Sequence, residues 1–270
     1  MLSRALKMAF WVMYDHLGKL LVANLLWASA VAVPGVLGLS VLASGEPGAG
    51  LFIALPLLVL SGAILLPVMT AGLAHMAKEL IDTRDGSLGD FFQGIRLYWR
   101  KAAALGVLYW TAAICLGTSV WFYAIHLRDS VPWLGYAISA TALWCLVFLA
   151  LTGMLLLPAL VQKKDGIFGT LKLAALLVVD NPLFSAGLAV HFLILAGLSI
   201  VPPFLFLVSG SLGAVLATSA YEMLARKYAH KQALAEGHLS PATKRDAIFG
   251  DEQDDYLNRG LRDALFPWKG

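Results

Sequence analysis

Apolar residues run in long blocks along this chain, separated by short polar segments that hold nearly all of its charge. A helix needs about 20 apolar residues to cross a bilayer core of roughly 30 Å. The blocks at residues 20–42, 51–76, 102–125 and 133–161 meet that requirement. A further block, residues 183–224, is too long for one span and has Pro202-Pro203 near its middle. Paired prolines remove two backbone donors and interrupt the helix ladder. The block therefore divides into spans at 183–201 and 204–224, joined by a very tight turn; one tilted span followed by a re-entrant segment is the alternative. The pattern predicts an all-α fold, a polytopic transmembrane helical bundle of about six spans. Residues 1–225 form its membrane domain and residues 226–270 a polar tail.

The polar segments are themselves patterned. Residues 5–17 read as an amphipathic helix before the first span. Residues 85–107 and 165–187 both open on D-G-x-x-G, with Asp85, Gly86 and Gly89 in one and Asp165, Gly166 and Gly169 in the other. Each continues as an amphipathic helix that turns into the next span. Phe91, Phe92, Ile95, Tyr98 and Trp99 keep aromatics to one side while Gln93, Arg96 and Arg100 face elsewhere, as in a helix lying at the headgroup boundary. The D-G pairs read as turns in which glycine takes a positive φ. The chain thus reads as three units, each an interfacial helix followed by a transmembrane hairpin. All three enter from one side, so the repeats are parallel.

Composition agrees with lipid as the solvent: 59% of residues are hydrophobic and 14% charged, against about 45–50% and about 25% in soluble domains. The net charge of +3 makes no case for nucleic acid. Its distribution says more. With six spans, 19 of the 20 Lys and Arg fall on the side that carries both termini, and only Arg128 falls on the other. The positive-inside rule makes the first side cytoplasmic. Arg4, Lys7 and Ala28-Ser29-Ala30 have the look of a secretory signal, but Asp15, His16 and Lys19 interrupt it. The apolar run is also longer than the 7–15 residues of a signal core, so it reads as a retained span. Cys115 and Cys145 lie inside apolar runs and read as small packing residues.

An ionisable or strongly polar group within a span is a functional candidate by default. His191, midway along the fifth span, has the chemistry of a proton relay or a ligand; the plainer reading is a neutral imidazole bonded to a hydroxyl on a neighbouring helix. Glu222, near the inner end of the sixth span, is placed to pair with Arg226 four residues on. Asn24, one turn into the first span, is placed to bond between helices. The sixth span is rich in Gly, Ala and Ser, which suits close packing within the chain or against a partner's span. No His pair with metal spacing, no intramembrane carboxylate pair and no G-x-S-x-G occurs, so neither a metal, a cofactor nor an enzymatic activity is expected. In the tail, Leu257, Leu261, Leu265, Phe266 and Trp268 form an apolar stripe. It can dock on the membrane, on the protein's own cytoplasmic helices or on a partner.

Asn24-Leu25-Leu26-Trp27 resembles the N-L-x-W stretch of the YesL-like family of bacterial integral membrane proteins. The segment from Asp90-Phe91-Phe92 to Trp99-Arg100-Lys101 resembles that family's cytoplasmic helix, and Asn181-Pro182 fits as well. The resemblance covers roughly residues 5–200 and implies a bacterial cytoplasmic membrane, with a setting near carbohydrate uptake. It brings no catalytic residues with it. Three functions follow as expectations. The first is an accessory protein that holds a membrane-protein partner or a second copy of itself. The second is a transporter or channel for a small neutral solute, and the third a lipid-binding protein.

Overall fold

The computed structural model describes residues 1–125, 132–163, 166–236, 254–260 and 263. Every regular element among them is helical. The elements in chain order are α1 (Leu2–Asp15), α2 (Leu17–Ala43), α3 (Gly50–Asp82), α4 (Leu88–Ile125), α5 (Pro132–Gln162), α6 (Ile167–Asp180), α7 (Pro182–Leu198), α8 (Pro202–Ala235) and the short α9 (Asp255–Asn258). Five of these, α2, α3, α4, α5 and α8, are long and apolar enough to cross a membrane; α6 and α7 pass that test only together, as a bent pair that is either a broken sixth span or a re-entrant segment. The chain is a polytopic membrane protein built as an all-α bundle.

Helix α8 is its centre. Residues Gly210 to Leu224 are almost all buried, packed against α1, α2, α3 and α5. The small residues of this span serve packing within the chain. A Cβ on Gly210 would stand 2.6 Å from the Trp27 ring, so α2 and α8 touch where a larger residue could not fit.

The same device joins α3 to α4. Pro67 cannot donate to the carbonyl of Ala63 four residues earlier, and Gly106 of α4 rests against both. A Cβ there would lie 2.2 Å from the Ala63 oxygen and 2.3 Å from the Pro67 ring. Below this point Gly72 and Gly94 are in mutual backbone contact, with a Gly94 Cβ placed 3.1 Å from the Gly72 Cα.

The core is one-sided. Helix α4 buries Phe91, Gly94, Ala102, Leu105 and Gly106 but nothing beyond, and α7 buries nothing beyond Leu188. The α2–α3 and α4–α5 hairpins therefore pack firmly at the end that carries the basic residues. Toward the other end hydroxyls tie them, Ser61 donating to the Val31 carbonyl at 2.7 Å and Ser139 to that of Val120 at 3.1 Å, and the α2–α3 pair also closes on Gly38, where a Cβ would lie 3.1 Å from the Ala54 oxygen.

Several local expectations are corrected. The D-G glycines do not have positive φ. In the first turn Arg84 takes φ 62°, while Gly86 is needed for space, a Cβ there falling 2.7 Å from the Leu80 side chain. Gly166 has φ −70° and opens α6, and Asp165 lies outside the described residues. Pro202-Pro203 does not interrupt a helix but starts one, after an extended Val201, which is where proline's fixed φ is favourable.

The three helices expected at the interface also join the helices after them differently. A break at His16 separates α1 from α2, and Asn181 before Pro182 bends α6 from α7 by 104°. The middle helix instead runs unbroken from Leu88 to Ile125, because no proline or other strong breaker falls between its amphipathic turn and its span.

The Gly106 contact predicts that Gly106→Ala destabilises the protein by about 1–3 kcal/mol through overpacking. Gly117→Ala on the same helix, where nothing lies within 4 Å of the added carbon, stays within about 0.5 kcal/mol of the parent. Unfolding titrations in mixed micelles compare the two.

Candidate functional site

Asn24 is fully buried and makes three hydrogen bonds to one stretch of α8. Its Nδ2 donates to the carbonyls of Leu205 at 3.0 Å and Phe206 at 2.8 Å, and its Oδ1 accepts from the Ser211 backbone N–H at 2.8 Å. The two carbonyls belong to a widened π-helical turn, Leu205–Ser209, just inside the start of α8, and Ser211 follows it directly. A regular α-helix bonds each N–H to the carbonyl four residues back. Widening the turn takes the ladder out of that register, and the Asn24 amide bridges the gap. One turn further along α2, Trp27 Nε1 donates to Thr70 Oγ1 at 2.9 Å, and Thr70 in turn donates to the Leu66 carbonyl at 2.6 Å. Asn24 and Trp27 together clamp α8 and α3 to α2.

Two clefts flank α7. With 17 residues, α7 spans only about 25 Å, and it packs loosely. One cleft, of about 300 Å³, lies between α7, α5 and α8. Its polar lining groups are Trp27, Thr70, Ser199 and Ser209, and each donates its proton inside the protein, Ser199 to the Leu195 carbonyl and Ser209 to that of Leu205. The other, of about 270 Å³, lies between α1, α7 and α8, and His191 is its one polar side chain among the described residues. His191 Nδ1 bonds the carbonyl of Gly187 on its own helix at 2.8 Å rather than a neighbour's hydroxyl. The buried polar atoms without a partner, His75 Nδ1 and the hydroxyls of Ser185, Thr218 and Ser219, line neither cleft. Cys115 and Cys145 are exposed on α4 and α5.

At the basic end the tail folds back onto the bundle. Asp254 caps α9 by accepting from the Tyr256 N–H at 3.0 Å, and its other oxygen accepts from Arg226 at 2.7 Å. Arg226 also donates to Glu222 at 2.9 Å, so the expected Glu222–Arg226 pair exists and extends to the tail. Tyr256 and Leu257 are buried. Tyr256 donates to the Leu80 carbonyl at 3.2 Å, meets His16 Nε2 at 3.2 Å, and lies under the guanidinium of Arg84. Lys7 donates to the Leu257 carbonyl and Arg259 to Asp15. Leu257 thus docks on the protein's own helices. Leu261, Leu265, Phe266 and Trp268 lie outside the described residues.

Asn181 works beside this strap. Its Nδ2 donates to the Leu177 carbonyl at 3.0 Å and to the Tyr228 hydroxyl at 2.9 Å, while Lys227 donates to its Oδ1. The elbow between α6 and α7 is thereby fixed to the end of α8. The three intramembrane candidates do not form one site. Asn24 bonds the break in α8, His191 its own helix and Glu222 the tail strap. Tyr256 and His16 escaped the sequence reading; the readable signal was Asp254, a capping residue in front of a buried aromatic.

Comparison with family models, curated proteins and solved structures finds no match for the chain.

Replacing Asn24 by Leu takes the side-chain partner from the Phe206 carbonyl and the Ser211 N–H, while the Leu205 carbonyl keeps the Ser209 hydroxyl, and unsatisfied groups cost about 1–3 kcal/mol each in a rigid site. Relaxation in the membrane lowers this, so Asn24→Leu is expected to lose about 2–4 kcal/mol of stability. Ser40→Ala, whose hydroxyl bonds only its own helix at an exposed position, loses less than about 0.5 kcal/mol. Reversible unfolding in mixed micelles distinguishes them.

A second prediction concerns pH. Burial, and after it the nearby Lys19, hold the His16 imidazole below its ordinary value of 6.5. The folded state therefore favours the neutral ring, and the tail's docking is complete above about pH 6.5 and weakens as pH falls below it. Amide hydrogen exchange at Tyr256 to Gly260, corrected for intrinsic rate, should accelerate between pH 7.5 and 5.5 in the parent. His16→Gln, which keeps a donor without titrating, should remove that dependence.

Proposed function

We propose that this polytopic membrane protein is a non-catalytic accessory protein, which holds a membrane-protein partner and carries no solute of its own. One observation supports this most. The polar side chains lining the cleft between α7, α5 and α8 are all engaged in hydrogen bonds within the protein. A pathway for a sugar or another neutral solute needs free donors as well as acceptors along its wall, since a polar group moved into an apolar site without partners costs several kcal/mol, and here the donors are all used. The strap of Tyr256 and Leu257 supports the other half of the reading, because it joins α1, α3 and α8 into one firm face.

The same contacts put the N-terminal helix and residues 254–260 on one side of the bundle. With the Lys and Arg bias of the loops, we infer that this side is cytoplasmic. The resemblance of Asn24–Trp27 and Asp90–Lys101 to YesL-like proteins suggests a bacterial cytoplasmic membrane, with carbohydrate uptake as the setting of the partner.

Purified protein in proteoliposomes is expected to pass no mono- or disaccharide faster than protein-free vesicles, with His191→Ala unchanged. In parallel, solubilised native membranes are expected to yield a stoichiometric membrane-protein partner that is lost when residues 257–270 are removed. Saturable sugar uptake abolished by His191→Ala, or the same proteins recovered with and without the tail, contradicts the proposal.

A further inference from the structure

A second cavity system lies away from the cleft that carries the functional reading, and its two halves differ in chemistry. At the basic face, α1 and the tail enclose a hollow of about 440 Å³ lined by Ser3, Lys7, Trp11 and Arg259. The apolar cleft between α1, α7 and α8 lies next to it. Leu6 and Phe10 line both, so the hollow and the cleft adjoin along one face of α1. The upper half is cationic. Lys7 pairs with no carboxylate among the described residues and uses one donor on the Leu257 carbonyl. Arg259 gives one N–H to Asp15 and lays its guanidinium 5.2 Å from the Trp11 ring; a guanidinium has five donors, so others remain. Asp15 is the opposing charge. The lower half is walled by Ile194, Leu212 and Leu216, with the imidazole of His191 engaged on its own helix. Phe10, Tyr14 and Leu17 are exposed beside it, as side chains at a lipid boundary are.

We propose that these two halves form one site for an anionic phospholipid, its phosphate held by Lys7 and Arg259 and an acyl chain laid in the cleft along α7. A free phosphate has no use for the apolar half, and an uncharged lipid has none for the cations. The inferred orientation puts the site at the leaflet whose anionic lipids attract basic segments. The lipid contacts both α1 and Arg259 of the tail, so its occupancy reinforces the docking of residues 254–260.

Native mass spectrometry of the full chain in mild detergent tests this, with phosphatidylglycerol and phosphatidylcholine of identical chains titrated separately. Two cations near the phosphate predict that one phosphatidylglycerol is retained about tenfold more tightly than phosphatidylcholine. Lys7→Gln with Arg259→Gln should bring the two lipids to parity, whereas Lys172→Gln, exposed on α6, should keep the preference. Ile194→Trp, which fills the chain cleft and leaves the charges in place, should lower retention of both lipids. Equal retention of the two lipids by the parent overturns the proposal, and so does a preference that survives the double substitution. Displacement of phosphatidylglycerol by equimolar inorganic phosphate also overturns it, since the apolar half would then contribute nothing.

Discussion

Hydrocarbon offers no hydrogen bonds, so a backbone group released from its helix must find a partner inside the protein. The central helix of this bundle releases such groups near its start, in and just after the widened turn at Leu205–Ser209. The side-chain amide of Asn24 takes them up, donating twice and accepting once. Because α8 is the helix that the others surround, this one amide fixes the register of α2 against the whole bundle. The contact of Trp27 with Gly210 and its bond to Thr70 follow from the same register. A polar residue that a sequence reader takes for a functional site is here the keystone of a helix–helix joint.

The strength of the structure is uneven along the membrane normal. The Gly72–Gly94 contact, the buried stretch of α8 toward Leu224 and the strap of Tyr256 and Leu257 lie toward the basic end. The far halves of α4 and α7 bury nothing. Local stability follows the density of such contacts, so α4 and α7 are anchored at one end and loose at the other. This places α1, the tail and the elbow at Asn181 in the rigid part, where a docking surface keeps its shape. It also leaves clefts on both sides of the short α7, and the chemistry of their walls separates an apolar cleft from one that adjoins a cationic hollow.

Much of this was legible in the sequence, for identifiable reasons. Long apolar blocks and a prolyl pair fix helices and their breaks almost by length alone, and the tight turn before Pro202 appears as expected. The pairing of Glu222 with Arg226 follows from their spacing. Asn24 as an interhelical residue was readable, but its role in completing a broken ladder was not, because the π-helical turn has no local sequence mark. The D-G turns failed for a specific reason: the positive φ fell on Arg84, and Gly86 was required by the approach of Leu80, a contact that no local rule contains. The expected symmetry of the interfacial helices also gave way to local detail, with a break at His16, none in α4 and a sharp bend at Asn181. Tyr256 was hidden because its burial depends on residues more than 170 positions away.

The central claim is that polar groups within the spans hold helices together and do not line a hydrated path. The backbone amide of Ser211 reports on it most directly, since its acceptor is Asn24 and it lies at the one break in the central helix. Hydrogen exchange measured on the protein in lipid nanodiscs should find that amide protected as strongly as those of its buried neighbours Gly213 and Ala214. Exchange orders of magnitude faster at Ser211 alone would place water at the break and contradict the account.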